Sequence, residues 1–325
     1  MSAKSYKQVV KNPALRRWFK DMFSFYDLTD SGSGITAGRL MEVSSNEVKI
    51  GTEQSAAIIG ITRNTVAASD ADVEAEWGAV PCYLASPVAK FDNIAARANG
   101  MVGKSLPSQV TLLSATAGGN FANQPAGDGV TVVSDSTSDT TQTCTIYGTI
   151  TGTTTSVTSE TVSLNGTTDA DTTITTWVNI LAVELSASCA GTVEISETSG
   201  GAAITSITTG NTTAGIATIS TTNAYGLIPR HDASGASTAP VALIGTGVDG
   251  GALSVVDALN GATEEDHATT IYSTVTKAYI GAVASTVNVT VLTNESTDSS
   301  NIGVALEAST VSGVSKDCWI KPYFF

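Results

Sequence analysis

Ala98-Asn99-Gly100-Met101-Val102-Gly103-Lys104-Ser105 has the loose spacing of a phosphate-binding loop. In such a loop backbone N–H groups wrap phosphates, the lysine reaches the outer ones and the serine holds magnesium. That chemistry needs a buried strand before the loop and a helix starting at the lysine. Here Asp92 to Arg97 is polar, and Pro107 is followed by Val110, Thr111 and Leu112, which read as strand, so a glycine turn is expected instead. His231 stands beside Asp232, and His267 follows Glu264, Glu265 and Asp266, but no G-x-S-x-G elbow offers a nucleophile. The carboxylate pairs Asp169/Asp171 and Glu264/Glu265 would suit glycoside hydrolysis only inside a cleft, and they follow Leu-Asn-Gly turns, where solvated loop charges are expected. Asp27 to Gly34 opens like a calcium loop, yet Thr29 occupies the third ligand position and Gly38 the twelfth, where a glutamate is required. Cys82, Cys144, Cys189 and Cys318 form no C-x-x-C pair, and with only two histidines a zinc set has few ligands to recruit. Cys144 and Cys189 share a repeat and could be bridged, but the second repeat has no matching pair, so a disulfide is not the expectation. No catalytic residue, cofactor or metal centre is expected, and the chain does not read as an enzyme.

The elements that must hold these residues occur twice. Leu164-Asn165-Gly166 matches Leu259-Asn260-Gly261 at an offset of 95. At that offset Trp177 falls on Tyr272, Leu185 on Ile280 and Ala187 on Ala282, and one residue of slippage puts Val193 on Val289 and Ile195 on Val291. Val162 falls on Asp257, which predicts a bulge or register change there. Solenoid repeats run about 20 to 50 residues, so this period suits two tandem domains of immunoglobulin size. Asn-Gly supplies the positive φ of tight hairpins and marks both turns.

Apolar residues make up 42% and charged ones 14%, with Thr prominent, which suits exposed strand faces and predicts a mainly β fold. The net charge of −14 would repel phosphates, so nucleic acid is not an expected partner. No apolar run approaches the length of a spanning helix, and no secretory h-region is present, so neither a membrane nor a secretory route is expected. Six of the 16 basic residues (Lys4, Lys7, Lys11, Arg16, Arg17 and Lys20) lie in the first 20 positions, and none occurs from Ser105 to Pro229.

The front end reads as a basic arm and a helix. Asn12 caps it and Pro13 takes the first helical position. Leu15, Trp18, Phe19, Met22, Phe23 and Tyr26 then form one apolar stripe. The stripe packs on the chain's own barrel or docks in a partner's groove; both readings stand at this point. Short strands follow over Ile35–Val43, Ala56–Thr62, Asp72–Trp77 and Val80–Leu84. Ser114 to Gly129 reads as a linker, Arg230-His231-Asp232 begins a second one, and the second repeat ends near Val314. The aromatic end, Lys316 to Phe325, plugs the second repeat as an edge strand or is held by a neighbouring subunit.

Ala37-Gly38, Ile59-Gly60-Ile61 and Asp72 to Val80 resemble, in order, the small β-barrel domains of bacteriophage head-decoration proteins. Tyr147 to Ile195 is similar to the immunoglobulin-like domains appended to phage structural proteins, with a Y-G-T, E-T-V-x-L-N-G-T-T and A-G-T-V-x-I pattern. The second copy departs from it at Asp257. The resemblance implies a division into a basic arm and helix (1–28), a small capsid-binding β-barrel (29–113), a linker (114–129) and two immunoglobulin-like β-sandwiches (130–230 and 231–325). It implies a virion protein, made in the host cytoplasm, that decorates the outer capsid surface by binding the major capsid protein. Contact would come through Lys4, Lys7, Lys11, Arg16, Arg17, Trp18, Phe19, Lys20, Met22 and Phe23. By the same analogy the protein is a homo-oligomer such as a trimer, and a host-surface glycan is a further partner. The alternative is a tail-fibre or adhesin module that binds a host receptor or glycan.

Overall fold

The computed structural model describes residues 25–26, 40–44, 47–50, 58–62, 72–73, 75–76, 78–97, 100–106, 108–116, 121–284, 286–293 and 302–320. Among them the fold is mainly β and no α-helix occurs. Phe25–Tyr26, where the expected helix was to end, is instead a strand paired with Asp72–Val73, as two adjacent aromatics favour. The rest of that helix lies outside the described residues.

Residues 130 to 214 build a first module of two facing sheets. One runs in the order Ala170–Asp171, Val130–Ser134, Val193–Glu197, Ala203–Ile207; the other runs Thr213–Ala214, Trp177–Leu185, Thr143–Ile150, Thr153–Ser163. Alternate residues such as Val132, Ile146, Ile180 and Ile195 meet between them around fully buried Trp177. The second module repeats this plan. Glu265–Asp266, Pro229–Ala233, Asn288–Thr293 and Thr111–Thr116 form one sheet, facing Ala252–Ala258, Pro240–Gly247, Tyr272–Tyr279 and Ile216–Thr218. Tyr272 takes the place of Trp177 and donates its hydroxyl to the Leu243 carbonyl at 3.1 Å.

Three expectations about boundaries are corrected here. Residues 114–116 belong to a strand and not to a linker: Thr111–Thr116 takes the edge that Ala203–Ile207 occupies in the first module and buries Leu112 and Leu113 in the second core. Arg230-His231-Asp232 is no linker either, because Pro229–Ala233 is an interior strand with Pro229, His231 and Ala233 facing inward. The C-terminal strands do not plug the second module. Gly303–Ala305 and Ser315–Ile320 pair with Asn93–Arg97 and Gly78–Tyr83, closing a five-stranded sheet with Met101–Lys104 at its far edge. A bridge from Leu84 to Val102 brings the two edges of that sheet together, making a near-barrel around Leu84, Ile94, Val102 and Cys318. The expected 29–113 barrel therefore divides: strands from Leu40 to Glu76 form a separate four-stranded sheet, and the near-barrel draws on both sides of the modules. Long-range pairing of this kind leaves no periodic mark in a local window.

The modules are also joined to each other. Thr153–Ser163 and Ala252–Ala258 pair at Ser156 and Val255, which merges their sheets into one of nine strands. Leu181, Ala182, Ala242, Val256 and Tyr279 pack across the junction. The near-barrel docks on the second module through fully buried Arg97, whose Nε donates to the Tyr225 carbonyl at 2.8 Å and whose Nη1 donates to the Ala96 carbonyl at 2.9 Å.

Candidate functional site

One group of side chains in the second module has metal-ligand chemistry. Strand alternation turns His231 of Pro229–Ala233 into the core. Asp257 comes from Ala252–Ala258 in the opposite sheet. His267 follows the Glu265–Asp266 strand, where its N–H donates to the Pro229 carbonyl at 2.7 Å. The chain then passes through Ala268 and Thr269, both at φ 52°, a left-handed conformation that is uncommon outside glycine and strained for a β-branched residue. That turn aims the Ala268 N–H at Asp257 Oδ2, 2.7 Å away, while the Ala258 N–H donates to Oδ1 at 2.9 Å.

Both imidazoles are fully buried and their Nδ1 atoms face each other at 3.0 Å. Each Nε2 lies against a backbone carbonyl, His231 on Ala258 at 3.2 Å and His267 on Val255 at 3.1 Å. One ligating atom from each of His231, Asp257 and His267 lies within 4.8 Å of the other two. Burial, and then the neighbouring His231, pull the His267 pKa down to about 4. The arrangement can hold a cation between two nitrogens and a carboxylate. It was missed in sequence because the histidines are far apart along the chain; the available signal was Asp257 standing where the first repeat has Val162.

The other sequence candidates are taken up in ordinary contacts. Asn93–Arg97 and Met101–Lys104 form a hairpin, so no helix begins at Lys104, which lies in a strand 3.2 Å from the Asp92 carboxylate. Asp171 accepts from the Thr131 hydroxyl at 2.6 Å, and Asp169 is exposed in its turn. Glu264 and Asp266 flank the Arg230 guanidinium at 2.9 and 3.1 Å, and Glu265 bonds Asn260. Cys82, Cys144, Cys189 and Cys318 are buried free thiols; burial first, then the Cys189 thiol, push the Cys144 pKa up to about 12. Lys4, Lys7, Lys11, Arg16, Arg17, Trp18, Phe19, Lys20, Met22 and Phe23 lie outside the described residues, as does Asp27 to Gly34.

Against known proteins, no family model, curated protein or solved structure matches this chain.

Proposed function

We propose that the protein is a structural component of a tailed-phage virion, which decorates the capsid by binding the major capsid protein and holds two immunoglobulin-like modules outward. One observation carries the reading. The near-barrel is assembled from residues 78–104 and 302–320, so everything between them is an insertion tied to the base at both ends. Because the two modules also share a sheet, the insertion behaves as one stiff arm and not as beads on a flexible linker. A stiff arm on a compact base suits a surface lattice, where symmetry repeats one modest interface many times. The Thr-rich exterior, seen along Thr153–Ser163, and the net charge of −14 keep such a dense array soluble. The basic, aromatic segment from Lys4 to Phe23 supplies the contact with the shell.

The test is to mix purified protein with empty capsids and image them. Regular density at lattice points is expected. Density on tails alone would favour the adhesin reading, and no density on either would overturn both.

A further inference from the structure

The geometry points to a divalent transition-metal site, of the zinc type, formed by His231 Nδ1, His267 Nδ1 and the Asp257 carboxylate in the core of the second module. The first module shows what the same positions hold when no such site is built. Val132 pairs with Ala170 and Ile195 as His231 pairs with Glu265 and Val291. Val162 lies opposite Cys144 as Asp257 lies opposite Val241. Thr172 donates its N–H to the Val130 carbonyl as His267 donates to that of Pro229. Two valines and a threonine thus stand where the second module has two histidines and an aspartate, all three changed together at one spot. Burying two imidazoles, with a half-buried carboxylate beside them, in place of methyl groups costs several kcal/mol unless something compensates them.

The hydrogen bonds say what that something must be. A carbonyl oxygen only accepts, so each Nε2 carries the ring's hydrogen. A neutral imidazole has a single N–H, which leaves two Nδ1 lone pairs directed at one another across 3.0 Å. Unfilled, that contact is repulsive; a cation between them removes the conflict. A shared proton would bridge the two histidines alone, with Asp257 only a nearby counter-charge. A metal ion uses all three. Ring N–H groups held by backbone carbonyls, with a carboxylate fixed by two amide N–H donors, are also the supporting contacts that orient ligands at metal centres.

The donor set selects the ion. Two nitrogens and one oxygen suit zinc, cobalt or nickel, whereas calcium and magnesium need oxygen shells. Bonds of about 2.0–2.1 Å would place the two nitrogens close to a right angle at the ion, and opening toward a tetrahedral angle separates them by only about 0.3 Å more. Because Asp257 sits in one sheet and His231 in the other, the ion would pin the two sheets together. Its role would be structural.

The full chain, stripped with a chelator, is titrated with Zn2+ and with Co2+ and followed by calorimetry, thermal melting and visible absorption. Uptake of about one equivalent, a higher Tm in Zn2+ than in chelator, and Co2+ d–d bands without thiolate charge transfer are expected. The triple variant His231→Val, Asp257→Val, His267→Thr installs the first module's residues; it should fold by circular dichroism and lose the uptake and the Tm response. Should it fail to fold, Asp257→Asn keeps the shape and should weaken Zn2+ at least about tenfold. No stoichiometric uptake by the parent chain, thiolate bands that put the ion on cysteines, or unchanged uptake in the variants would each overturn the assignment. A proton shared between the rings in the absence of any uptake would do the same.

Discussion

Single residues carry the duplication further than the sequence match alone conveys. In both modules the strand register shifts beside a glycine, between Tyr147 and Gly148 and between Ile244 and Gly245. A Cβ on Gly148 would run into the carbonyl of Asn179, and one on Gly245 into that of Thr274. Gly148→Ala or Gly245→Ala should therefore cost about 2–3 kcal/mol each, read as a lower urea midpoint, while alanine at Gly235, whose added Cβ would meet nothing, should leave the midpoint unmoved. Asp139 is buried and accepts from the Ser134 hydroxyl at 2.6 Å and from the Ala190 and Gly191 N–H groups at 2.8 and 2.9 Å. Those bonds, the Ser134 hydroxyl first, hold its pKa below the usual carboxylate range. The unfolded chain, with an ordinary value of about 3.9, then takes up the proton first as pH falls. The stabilisation is present above that value and disappears as pH drops through the folded one. Asp139→Asn should lower the midpoint at neutral pH and flatten its acid limb; an unchanged acid limb would mean the carboxylate is not what holds the loop. The turn glycines were legible in advance because Asn-Gly has a conformational reason to recur. The buried His231 was not, since a polar residue in an alternating strand looks the same from sequence whichever way it faces, nor was His267, which sits in the bend after its strand.

At the level of elements, strand existence was readable and strand partnership was not. Ile58–Thr62 and Trp177–Leu185 follow apolar runs that the residues themselves announce. Nothing local says that Thr111–Thr116 will complete the second module, or that Ser315–Ile320 will lie beside Gly78–Tyr83. The Leu-Asn-Gly turns show how each module fixes its own register. Gly166 donates to the Asp139 carbonyl and Gly261 to that of Ser237, both at 2.8 Å, so each turn is clamped to the loop below it. The joint between near-barrel and second module rests on Arg97, whose guanidinium also bonds the Lys104 carbonyl. Gly103 packs against the same Tyr225 carbonyl, which the positive φ of 60° at Tyr225 turns toward the barrel. Arg97→Met removes a fully buried charge and strands carbonyl acceptors, an expected loss of about 2–4 kcal/mol. Differential calorimetry should then resolve the near-barrel from the modules as separate transitions; one unbroken transition would show that the joint lies elsewhere.

For the molecule as a whole, two truncations separate base from arm. Removing residues 1–24 leaves every described strand in place, so the remainder should keep its β circular dichroism while losing any capsid attachment. Ending the chain before Ile302 deletes two of the five near-barrel strands but none from either module. Protease should then cut within 78–104 while 121–293 stays resistant, and resistance across both would contradict the closure described above. The same closure sets an order of events on the ribosome. Residues 78–104 emerge early yet must wait for partners that follow both modules along the chain, whereas each module has all its strands available sooner. A nascent chain halted between Thr293 and Gly303 carries every strand of both modules yet lacks two of the five that close the near-barrel.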